Sequence, residues 1–245
     1  MSPLSPIKSR PDLAALRARI SQLERATVRP DKILPFGVAA IDAVLPGGGL
    51  MRAALHEVAG DGDGAAAATC FAAGILGRLE APVLWCCSRD DLYPPGLSVS
   101  GLAARHVWYV RASKDQTVLM VMEEALRHPG LGAVLGEVGD ISITASRRLS
   151  LAAEKSGVMA VILRRAPGEG TSAAATRWWI ISKPSSVFEE APQLIGRARW
   201  QVMLTRSRGG PSGEWLVEAC DGAGYLALPA ISDSRSGEQG AQHAA

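Results

Sequence analysis

Between residues 54 and 163 the chain alternates short apolar runs with segments of helical periodicity. This alternation restricts the fold more than any other feature. Ala54 to Ala59, Val83 to Cys87, Val107 to Arg111, Gly132 to Val138 and Val158 to Leu163 read as strands. Ala65 to Leu79, Asp115 to Arg127 and Thr144 to Lys155 read as helices, the last closed by Gly157. Short strands that are apolar throughout must be buried on both faces. The expected fold class is therefore α/β, a mostly parallel sheet flanked by helices.

The flanks differ from this core. Residues 1–10 are rich in Pro and Ser, and Pro11-Asp12 opens a helix with an apolar stripe of Leu13, Leu16, Ile20 and Leu23. Two heptads are too short to be stable alone, so the stripe is expected to dock on the body or on a partner. Residues 33–49 are turn-rich around a short helix, Ala39 to Leu45. After residue 170, Arg177 to Ser182, Arg199 to Thr205 and Glu214 to Ala219 read as strands with no helix between them, an antiparallel extension at one sheet edge. The expected divisions are an arm at 1–32, an α/β core at 33–165, a short loop and strand extension at 166–232, and a disordered tail at 233–245.

A net charge of +2 hides a pattern. Residues 1–32 and 164–215 each carry +4, whereas 33–163 and 216–245 each carry −3. The basic segments are either solvated surface or contacts to nucleic acid or an acidic protein. The four cysteines, at 70, 86, 87 and 220, form no Cys-x-x-Cys, so neither a disulfide framework nor a zinc site is expected. No apolar leader or bilayer-length run is present, and a cytoplasmic protein with no membrane contact is expected.

The junction from His56 to Ala67 is strand, glycine loop, helix, where a phosphate-binding loop belongs. Such a loop needs Gly-x-x-x-x-Gly-Lys-Ser/Thr: backbone amides cradle phosphate, the lysine neutralises charge and the hydroxyl holds magnesium. With Gly60 first, the second glycine falls on Ala65, the lysine on Ala66 and the hydroxyl on Ala67. No lysine stands between Lys32 and Lys114, and Asp61 and Asp63 add negative charge to the loop. The acidic position that should end a neighbouring strand is Glu137, one carbon longer than aspartate. Charge-assisted hydrogen bonds contribute roughly 1.5–3 kcal/mol each. Losing these groups removes roughly 5–9 kcal/mol, against about 8 kcal/mol for micromolar binding. No nucleotide binding, metal, cofactor or catalytic residue is expected. His56 reads as structural, and Asp90-Asp91 as a solvated turn.

Leu34-Pro35-Phe36-Gly37, Ile41-Asp42, Leu45-Pro46-Gly47-Gly48-Gly49-Leu50 and His56-Glu57-Val58-Ala59-Gly60 together resemble the opening of the RecA-type core. Within that superfamily the chain is similar to the ImuA family. Val83 to Leu97, Ala173 to Trp178, Arg199 to Gly210 and Trp215 to Glu218 carry that likeness. The missing lysine departs from RecA itself. The resemblance implies a non-catalytic accessory role in SOS-induced translesion DNA synthesis. The implied partners are ImuB, which resembles a Y-family polymerase, RecA, and an error-prone replicative-type polymerase subunit. Two other readings are a DNA-dependent ATPase or recombinase paralogue and a division inhibitor like SulA. In a RecA-like protein Arg164 and Arg165 end the last parallel strand at the edge that meets DNA. Strand alternation puts Arg177 and Trp179 on one face and Trp178 on the other. With Arg206 and Arg208 they form a candidate DNA or partner surface, by backbone contact and base stacking. The alternative is that Trp178 is core and Trp179 caps the sheet edge.

Overall fold

The computed structural model describes residues 32–60, 62, 64–165, 170–185, 187–188 and 191–229. The stripe Leu13, Leu16, Ile20 and Leu23, the carboxylates Asp61 and Asp63, and the tail from residue 230 lie outside them. The lead-in comprises β1 (Ile33–Leu34), α1 (Ala39–Asp42), a 3-10 turn (Pro46–Gly48) and β2 (Leu50–Met51). The Asp42 carboxylate closes this segment by accepting the backbone N–H groups of Phe36 at 2.7 Å and Gly37 at 3.0 Å. The alternating body follows: β3 (Leu55–Gly60), α2 (Gly64–Gly77), β4 (Val83–Cys87), α3 (Pro94–Val99), β5 (Val107–Arg111), α4 (Asp115–Ala125), β6 (Ala133–Val138), α5 (Ile143–Ser156) and β7 (Met159–Arg164). The later strands are β8 (Thr176–Lys183), β9 (Val187–Phe188), β10 (Ala191–Ile195), β11 (Arg199–Ser207) and β12 (Gly213–Glu218).

Eight strands form the main sheet in the order β12-β11-β8-β3-β7-β6-β4-β5. From β8 to β5 the strands are parallel, and β11 and β12 complete the sheet antiparallel. This is a RecA-like α/β core with an antiparallel edge. It corrects one expectation, since β8 belongs to the parallel set and only β11 and β12 make the extension. β8 starts with Thr176 opposite His56 in β3. The chain must therefore return from the end of β7 to the start of β3 within residues 165–175. A parallel connection is usually helical, and no helical periodicity appears between β7 and β8 in the sequence, so β8 looked like part of a meander. β9 and β10 form a separate antiparallel pair.

The sheet is covered on both faces. Phe36, Phe71, Trp178, Trp200 and Trp215 pack around α2 and the lead-in on one face, with ring centroids 5.1–6.5 Å apart. Val118 and Met122 of α4 and Leu149 of α5 pack against Leu55, Val134 and Ile162 on the other. Local sequence sets the α5 limits. The Ser142 hydroxyl caps the start by accepting the Ala145 N–H at 3.2 Å, and Gly157, at φ 81°, ends it in a left-handed residue. Among the described residues no helix is long and apolar enough to cross a membrane.

Candidate functional site

In open parallel sheets, ligands bind beyond the carboxyl ends of the strands. A cleft of about 380 Å³ lies there, between the start of α2 and the ends of β6 and β7. It is lined by Ala65, Ala66, Thr69 and Cys70 from α2, Leu92, Tyr93 and Leu97 around α3, and Glu137, Leu163, Arg164 and Arg165. The α2 helix begins at Gly64, only three residues after β3 ends. The turn is thus one residue shorter than the expected loop. Its helix-starting glycine is Gly64, and the lysine and hydroxyl positions fall on Ala65 and Ala66, with Ala67 buried beneath them. The turn is also tightly closed: a Cβ on Gly60 would lie 2.3 Å from the Gly64 carbonyl oxygen and 2.9 Å from that of Ile180. Thr69 supplies a hydroxyl one turn further along, but it donates to the Ala65 carbonyl at 3.0 Å. The cleft therefore presents methyl groups where a phosphate site needs an ammonium and a hydroxyl.

Glu137 occupies the acidic position at the end of β6 and is buried. Its Oε1 accepts the indole N–H of Trp85 at 2.6 Å. Burial pushes its pKa above the ordinary glutamate value, and the Trp85 hydrogen bond opposes that shift. The carboxylate is anchored to the core of the neighbouring strand. Trp85 carries no recognisable site motif. A tryptophan inside a fully apolar strand nevertheless needs an acceptor for its N–H, and the carboxylate two residues past its cross-strand partner Leu135 provides one.

The arginines singled out from the sequence are brought together mainly to hold the chain, which corrects the surface role expected of Arg164. That side chain is only 4% exposed and pairs with Asp140 and, at 3.9 Å, with Glu57. Arg165 pairs with Asp115 at 2.9 Å and donates to the Ser88 hydroxyl. Arg177 donates to Glu57 at 2.9 Å and to the Gly170 carbonyl at 2.9 Å. Arg206 donates to the Ser172 carbonyl, and Arg208 to that of Ala173 at 2.9 Å. Three guanidinium groups thus clamp residues 170–173 ahead of β8. The Gly170, Ser172 and Ala173 carbonyls find guanidinium donors, while that of Ala175 accepts the Arg208 backbone N–H at 2.8 Å. The sequence could not show them, because the acceptors are main-chain atoms brought near by topology. Trp178 is core, whereas half-buried Trp179 lines a second pocket of about 270 Å³ with Glu57, Arg164, Arg177 and Thr205.

His56 is fully enclosed. The Trp178 indole donates to the Thr176 hydroxyl at 2.8 Å, the hydroxyl lies 2.7 Å from His56 Nδ1, and Nε2 lies 2.8 Å from the Met51 carbonyl. The relay is satisfied once throughout if Nε2 carries the proton and Nδ1 accepts. Burial lowers the His56 pKa to about 4, so the ring is neutral near pH 7. It binds Met51 to β8.

No protein-family model matches the chain. Over 216 aligned residues it is 38% identical to Protein ImuA of Caulobacter vibrioides strain NA1000, covering 80% of this chain and 87% of the relative. Protein ImuA of a second strain, CB 15, matches with the same figures. The chain belongs to the ImuA family. In this ImuA-family chain the RecA-like scaffold is intact, while the corner between β3, α2 and β6 presents two alanines and an indole-bound glutamate.

Proposed function

We propose that this chain is a non-catalytic RecA-like adaptor in SOS-induced, error-prone translesion DNA synthesis. It docks to an ImuB-type partner resembling a Y-family polymerase and to RecA, and serves an error-prone replicative-type polymerase subunit. The observation that carries the non-catalytic reading is the β3–α2 junction, where Ala65 and Ala66 stand in place of lysine and hydroxyl. Membership of the ImuA family supports the adaptor role and the choice of partners. Titration calorimetry with MgATP should give no heat of binding at millimolar nucleotide, and single-stranded DNA should stimulate no hydrolysis. Affinity purification after DNA damage should bring down the ImuB-type protein. Stoichiometric MgATP binding with turnover on single-stranded DNA would replace this reading with a DNA-dependent ATPase.

A further inference from the structure

Among the described residues, β5 is an uncovered edge of the sheet. This strand pairs with β4 on one side and has no strand neighbour on the other among the described residues. The Cys87 carbonyl accepts the Ala112 N–H at 2.9 Å. Parallel pairing alternates, so Trp108 and Val110 also turn their backbone polar groups towards β4, and Val107, Tyr109 and Arg111 turn theirs outward. An edge of this kind is a template for another strand unless it is short, bulged or defended. Here it carries large apolar side chains in the open: Trp108 is 58% exposed and Tyr109 38%.

The side chains on this edge indicate the occupant. Trp108 lies opposite Leu84 and Tyr109 opposite Trp85, so the two rings stand on opposite faces of the sheet. They cannot form one stacking platform for the bases of a single strand, but they can flank both faces of an added β-strand. Residues 92–114 contain Arg105, Arg111 and Lys114 and no acidic residue. All three are exposed, and Arg111 meets Asp90 from the turn after β4. A second copy joining edge to edge would set this basic stretch against itself. We propose that β5 docks an extended segment of a partner protein, apolar at alternate positions and acidic between them, which adds as a ninth strand. The proposal deepens the adaptor reading and rests on it for the class of partner.

The probe is a fluorescein-labelled peptide, Glu-Val-Glu-Ile-Glu-Val-Asp-Ile-Glu, followed by fluorescence anisotropy on the full chain. Binding to the wild type should weaken as salt rises. Tyr109→Pro removes only an outward N–H, which an edge strand tolerates. It should weaken binding at least about tenfold beyond Tyr109→Ala, the equivalent of one or two lost backbone hydrogen bonds. Arg105→Glu with Lys114→Glu, which leaves the backbone untouched, should also weaken it. Equal affinity of Tyr109→Pro and Tyr109→Ala overturns the proposal. So does equal binding of the same peptide with lysine for every acid, or displacement by oligo(dT), which would make the edge a nucleic-acid site. If the ImuB-type protein is captured equally by wild type and Tyr109→Pro, the edge proposal fails and the adaptor reading stands. If the peptide binds as expected and that protein is not captured, the adaptor reading fails instead.

Discussion

His56 shows how one buried side chain can make the stability of this fold depend on pH. In the folded chain it stays neutral down to about pH 4, because burial disfavours the imidazolium. In the unfolded chain it takes up a proton near pH 6.5. Between those values the unfolded state holds more protons, so stability falls as pH falls through that window. The expected loss is about 3 kcal/mol between pH 7 and pH 4. His56→Gln keeps a donor for Met51 and an acceptor for Thr176 but cannot titrate. Urea unfolding of the two proteins across this range should show a steeper acid limb for the wild type, and parallel limbs would refute the assignment. The residue itself was readable from sequence as a histidine within a strand beside Glu57. Its relay was not, because Thr176 and Trp178 come from a strand 120 residues away. The Trp85–Glu137 bond was hidden for the same reason: both strand ends were legible, but β4 and β6 become neighbours only through the strand order.

At the scale of elements, the short return between β7 and β8 is the unusual piece. Arg177 joins three things at once: β8, on which it sits, the buried Glu57 carboxylate of β3, and the Gly170 carbonyl of the return. A carboxylate in the middle of a buried strand is tolerable only with a cation beside it. Arg164 also approaches it, but at 3.9 Å, and its Nε has no partner. Arg177→Met should cost about 3–5 kcal/mol, the usual consequence of stranding one member of a buried pair. Arg177→Met combined with Glu57→Leu should recover much of that loss. Chemical denaturation measures both, and hydrogen exchange at residues 170–176 should quicken in Arg177→Met. The hydrophobic periodicity made the strands and the three longer helices of the α/β body legible, with boundaries within a few residues, and missed the short α3, whose six residues are too few to show a period. It misassigned β8 because extended segments carry no mark of the direction in which they pair. It offered Arg164 as a surface residue because charge at a strand end reads the same whether the partner is DNA or the protein's own carboxylates.

For the whole molecule the question is whether the antiparallel edge unfolds with the parallel body or apart from it. The four cysteines are free thiols and report on different places. Cys86 lies in β4, near the β5 end of the sheet, in the core under α4. Cys220 follows β12 at the opposite end and packs on α2, where a Cβ at Gly74 would lie 2.3 Å from its Sγ. Burial pushes both thiols up to about 12, so neither forms thiolate at neutral pH in the folded state. Cys70, half-buried at the cleft wall, is the thiol expected to react with a maleimide in the native protein. The contact of Cys220 on α2 ties the far edge to the first helix of the body, and the Phe36–Phe71–Trp178–Trp200 cluster spans the same junction. The sheet should therefore unfold as one unit. Pulsed thiol labelling along a urea gradient should expose Cys86 and Cys220 at one midpoint, coincident with loss of far-ultraviolet circular dichroism. Labelling of Cys220 at lower urea than Cys86 would show that β11 and β12 form a separable unit, and that the β8–β11 seam is the weakest part of the fold.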